Sequence, residues 1–72
     1  MIIENKVKYY RLAKNLTQLE LANLVGISET HLQNIEYGKA RPNIEIALRL
    51  SDSLDISVED LFLLVVDINP NK

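Results

Sequence analysis

Gly26, one of only two glycines in a chain of 72 residues, falls between two short segments whose apolar residues recur at helical spacing. Upstream, Thr17-Gln18-Leu19-Glu20 fits a capping box, in which the threonine oxygen takes an early amide proton and the glutamate reaches back to the cap amide. The helix so opened carries Leu21, Ala22 and Val25 on its apolar side and breaks at Gly26, where a left-handed backbone costs little. Ser28 is placed to cap a following helix with Leu32 and Ile35 turned inward, and Gly38 ends it. Two short helices joined by Val25-Gly26-Ile27, with Ala22 small at their crossing, meet the specification of a helix-turn-helix over about 17–36. One helix braces and the other is presented outward. A generic helical hairpin shares these requirements, so the pattern alone leaves both open.

The rest of the chain is also helical in period. A first helix is predicted from about Glu4 to Lys14, with Val7, Tyr10 and Arg11 on one face and Asn15 as a left-handed terminator. Pro42-Asn43 starts a fourth helix whose apolar face is Ile44, Ala47, Leu48, Ser51 and Leu54. Asp55 stands where a helix-ending glycine would be easier. Ser57-Val58-Glu59-Asp60 then caps a short fifth helix around Leu61 and Phe62. The run Leu64 to Ile68 fits a strand or a helix. As a strand it would pair with Met1-Ile2-Ile3 in a small β-ribbon. The predicted fold class is all-α, a single domain over 1–72, with residues 63–72 as a tail for dimerisation or a β-arm.

Size and composition narrow the functions open to such a chain. An apolar share of 47% supplies one small core, with no room for a separate catalytic or sensor domain. Without cysteine, neither a disulfide framework nor a thiolate metal site is available. The longest apolar run, Leu61 to Val66, is too short to cross a bilayer, and Glu4 interrupts the apolar start that a secretory signal would need. A cytoplasmic protein is expected. The net charge of −2 speaks at first sight against a nucleic-acid partner. Its distribution is polar, however: residues 1–41 carry six basic and four acidic groups, residues 42–72 two basic and six acidic ones. A module that presents one face to a polyanion has this polarity.

Three motifs, in order, resemble the lambda-repressor/Cro-type helix-turn-helix family: Leu16-Thr17-Gln18-x-Glu20-Leu21-Ala22, Val25-Gly26-Ile27-Ser28, and Ile35-Glu36-x-Gly38-Lys39-x-Arg41-Pro42. The likeness continues through Leu54-Asp55-Ile56-Ser57-Val58-Glu59-Asp60-Leu61-Phe62 and so covers roughly residues 7–62. The resemblance implies a compact five-helix domain whose third helix enters the major groove, acting as a dimer. It implies that Gln18 faces the DNA backbone, and that Arg11 and Glu36 form a partly buried salt bridge between the first and third helices.

On the third helix, Thr30, Gln33, Asn34 and Tyr37 share the face opposite Leu32 and Ile35. Side-chain amides donate and accept at once, matching adenine N6 and N7, so Gln33 and Asn34 are candidate base readers, and Thr30 joins them by its place on the same face. Glu29 has two readings, a partner for the helix dipole or an acceptor from cytosine N4. Phosphate contacts are expected from Gln18 and the free amides of its turn, from Lys39 and Arg41 in the following loop, and from Ser28, His31 and Tyr37 beside the readout face. His31 has no second histidine or cysteine near it in sequence, so a metal role is not expected.

No glycine loop, paired histidines or nucleophile beside a base supports an enzyme, and no cofactor, small-molecule ligand or membrane partner is implied. The predicted function is double-stranded DNA binding by a homodimeric transcriptional regulator, a repressor acting at a palindromic operator. The competing reading is a protein-interaction module on the same fold, such as an antitoxin. It would need apolar surface beyond the core, for which Leu19, Leu24, Ile46, Leu50 and Leu63 to Val66 are candidates. A homodimer seam on the fifth helix and tail is the simpler use of that surplus.

Overall fold

A computed structural model describes residues 2–65, and the side chains of 3–64. Its elements are β1 (Ile2–Asn5), α1 (Val7–Ala13), α2 (Gln18–Val25), α3 (Glu29–Glu36), α4 (Ile44–Leu54), α5 (Val58–Leu61) and β2 (Phe62–Val65). Local cap chemistry sets most boundaries. Thr17 and Glu20 form the reciprocal capping box, while Ser28, Asn43 and Ser57 each accept from an amide in the first turn of their helix. Gly26, Gly38, Asn15 and Asp55 all take the left-handed backbone at the helix exits, at φ between 56° and 83°.

The terminal ribbon forms. β1 and β2 are antiparallel, pairing Ile2 with Val65, Ile3 with Leu64, Glu4 with Leu63 and Asn5 with Phe62. Two expectations change as a result. Glu4 belongs to the strand and α1 starts three residues later at Val7, while Phe62 leaves the fifth helix to open β2. Pairing satisfies a ladder of backbone groups that isolated ends of two short helices would leave to solvent. Lys6 N–H donates to the Leu61 carbonyl at 2.8 Å and closes the ribbon at its base. Asn5 Nδ2 donates to the Ile35 carbonyl at 3.0 Å, tying the ribbon to the end of α3. Met1 and residues 66–68 of the expected arm lie outside the described residues.

The core gathers Val7, Leu21, Ala22, Val25, Leu32, Ile35, Leu50, Leu54 and Leu61, so every helix contributes. On α4 the expected Leu54 is buried and Ala47 and Ser51 are half-buried, but the rest of the buried side differs from the expected one. Leu50 and Leu54 are buried and Ile46 packs against them, whereas Ile44 is 79% and Leu48 56% exposed. The helix is apolar on two overlapping stripes, and periodicity does not choose between them. Fully burying a leucine contributes about 1.5–3 kcal/mol, and the side that sets Ile46 and Leu50 beside Leu54 is the one the rest of the core covers. Ile46 and Leu50 therefore belong to the fold, and Ile44 and Leu48 to the surface. Among the described residues, no helix is long and apolar enough to cross a membrane.

Candidate nucleic-acid interface

α2 and α3 meet through Leu21, Ala22 and Val25 on one side and Leu32 and Ile35 on the other, all of them buried. Between the helices the chain turns at Gly26, with φ 83°. The carbonyl of Ala22 accepts from both Gly26 N–H at 2.8 Å and Ile27 N–H at 3.0 Å, which tightens the exit of α2. Ser28 then starts α3, its hydroxyl oxygen accepting from His31 N–H at 3.0 Å. With Leu32 and Ile35 fixed inward, the opposite side of α3 has only one direction to face.

That side carries the expected residues. Glu29 and Thr30 are exposed in the first turn, His31, Gln33 and Asn34 are half-buried, and Tyr37 at the exit is 65% exposed. Neither Gln33 nor Asn34 is packed into the core. Past Gly38, the amides of Lys39 and Ala40 donate to the Asn34 carbonyl at 2.8 and 3.1 Å, so the loop folds back over the last turn of α3. Lys39 and Arg41 are both exposed on that loop. Gln18 and Ser28 open α2 and α3 respectively, and the first-turn amides of a helix have no helical acceptor ahead of them.

Beneath this face lies the ion pair that the resemblance implied. Arg11 Nε donates to Glu36 Oε2 at 2.7 Å, with side chains 8% and 0% exposed. A second guanidinium nitrogen, Nη2, reaches Glu36 Oε1 at 3.3 Å, and Nη1 donates to the Leu16 carbonyl at 2.8 Å. A glutamine bridge joins this pair to the readout face. Gln18 Nε2 donates to Glu36 Oε1 at 3.0 Å, and Gln33 Nε2 donates to Gln18 Oε1 at 3.2 Å. The one signal available was the one-turn spacing of Gln33 and Glu36, which puts them on the same flank of α3.

A helix-turn-helix family model matches residues 7–61. A helix-turn-helix-type transcriptional regulator of Methanocaldococcus jannaschii is 38% identical over 61 residues, spanning 85% of this chain and 92% of that protein. The transcriptional repressor RstR of the cryptic phage CTXphi, from Vibrio cholerae, is 34% identical over 61 residues, 85% of this chain and 54% of the repressor. Among solved structures, SinR, a master regulator for biofilm formation, in complex with DNA superposes with a TM-score of 0.70 at 33% identity, over 75% of this chain and 87% of that one.

Proposed function

The chain belongs to the helix-turn-helix family of DNA-binding transcriptional regulators, and from that premise we propose that it represses transcription as a homodimer on a palindromic operator. It is a regulator rather than an enzyme. The observation that carries the reading is the orientation of α3: Leu32 and Ile35 are fully buried, and Gln33 and Asn34 stand half-exposed on the opposite side. Base edges are read by Thr30, Gln33 and Asn34, with Glu29 at the entry of the helix. Gln18, Ser28, His31 and Tyr37 flank that face, and Lys39 and Arg41 add charge toward the phosphates. The repressor relative supports the sign of regulation, and the DNA-bound solved relative supports a duplex as partner.

A single domain of this size covers only a short half-site, and two copies related by symmetry reach successive major grooves about 34 Å apart. The ribbon supports a seam between copies. Ile3 and Leu64 are cross-strand partners and both are exposed, at 39% and 60%. Selection of bound duplexes from a random pool tests the whole reading. Recovered sites with two inverted half-sites one helical turn apart support it; no enrichment over the starting pool refutes it.

A further inference from the structure

A buried carboxylate sets the direction of a short hydrogen-bond chain that ends on the readout face. Both oxygens of Glu36 are engaged by Arg11, and the Glu36 side chain is 0% exposed. An ionised carboxylate only accepts hydrogen bonds, so a neighbouring amide must approach it with its nitrogen. Gln18 does so, with Nε2 at 3.0 Å. Its carbonyl oxygen then points the other way and, being an acceptor, demands a donor from Gln33, whose Nε2 lies 3.2 Å away. A free glutamine interchanges donor and acceptor by flipping its amide. At Gln33 a flip would set one carbonyl oxygen against another, and Gln18 cannot follow without turning its own oxygen onto Glu36.

We propose that Glu36, acting through Gln18, fixes the hydrogen-bonding polarity of Gln33, so that this position presents its carbonyl oxygen and selects a base with an exocyclic amine. Adenine N6 and cytosine N4 are the amine donors of the major groove, whereas guanine and thymine offer only acceptors there. Glu36 and Gln18 are thus positioning residues for specificity. Arg11 anchors the chain by a further bond to the Leu16 carbonyl, at 2.8 Å. The inference rests on reading α3 as the helix that meets the bases.

Four duplexes carrying an otherwise identical selected site, and differing only at the base pair where Gln33→Ala flattens preference, test it by competition binding with the full chain. Wild type should favour an amine-bearing base on the strand read, by about five-fold or more. Gln18→Lys donates to both neighbours, so Gln33 must turn its oxygen inward and its nitrogen outward, and the preference should move to guanine or thymine. Gln18→Met removes the chain without imposing a direction, and the four duplexes should approach equal affinity; this variant decides the matter if the lysine perturbs folding. Wild-type preference retained in both variants overturns the proposal while leaving Gln33 a reader. If Gln33→Ala flattens no position at all, Gln33 reads no base and the readout assignment falls with the proposal.

Discussion

Arg49 on α4 donates from Nη1 to the carbonyl oxygen of Val25, the last residue of α2, at 3.1 Å. The bond satisfies one of the carbonyls left over at a helix end and places a cation at the negative pole of the dipole. It also crowds the turn, because a Cβ on Gly26 would lie 3.1 Å from that same nitrogen. Gly38 has a similar φ, +77° against +83°, but nothing within 4 Å of where its Cβ would be. Gly26→Ala and Gly38→Ala should therefore both lose about 1–2 kcal/mol from left-handed backbone strain, with a further loss only at Gly26. Urea unfolding measures both, and Arg49→Ala should remove the difference. Equal losses in the wild-type background would mean that Arg49 does not brace the turn.

Arg11→Ala should be far more damaging than any surface charge removal. It leaves the Glu36 carboxylate buried opposite no cation, at a cost of about 3–5 kcal/mol. A domain of this length has roughly 4–11 kcal/mol in total, so a large drop in Tm is expected. By contrast, Glu45→Ala cuts only the exposed pair with Arg49, worth about 1 kcal/mol at most. Melting of Arg11→Ala close to wild type would contradict the buried role of the pair.

Among the described residues, the Glu20 capping box is a local source of acid sensitivity. The Thr17 backbone N–H donates to Glu20 Oε1 at 2.9 Å and, together with the Thr17 side chain, holds the Glu20 carboxyl below its ordinary value. The folded state thus binds that proton less readily than the unfolded chain. The contribution is complete above the unfolded carboxylate range and is lost as pH falls through the lower folded value. Glu20→Gln keeps a residue suited to the capping box and should flatten the acid limb of a Tm-against-pH curve. An unchanged limb would place the sensitivity elsewhere.

Charge and readout should separate in binding experiments. Lys39→Ala should weaken all duplexes alike and reduce the salt slope by about 0.9. Asn34→Ala should cost about 1–3 kcal/mol at particular base pairs and leave the salt slope unchanged. The reverse pattern would mean that α3 docks with its loop toward the bases.

What the residues disclosed in advance was the local chemistry. Thr17, Ser28, Asn43 and Ser57 cap helices because their side chains reach amides three residues on, and Gly26 and Asn15 turn the chain where their backbones allow it. The non-local choices stayed open. Whether Ile44 with Leu48 or Ile46 with Leu50 joins Leu54 inside depends on what the rest of the fold brings against α4. The strand at Ile2–Asn5 exists through its pairing with Phe62–Val65, some sixty residues later, and helical spacing extended α1 over its last two residues, Glu4 and Asn5. At the candidate interface, the outward face of α3 followed from Leu32 and Ile35, but the bonds from Glu36 through Gln18 to Gln33 pass from α3 to α2 and back, across a helix pair that no period connects.

Chemical-shift mapping of the isotopically labelled chain against a selected duplex addresses α3 itself. The side-chain amides of Gln33 and Asn34, with the backbone of Glu29 and Thr30, should move furthest. Shifts centred on Ile44 and Leu48, with those amides unmoved, would contradict the account and assign the binding surface to α4.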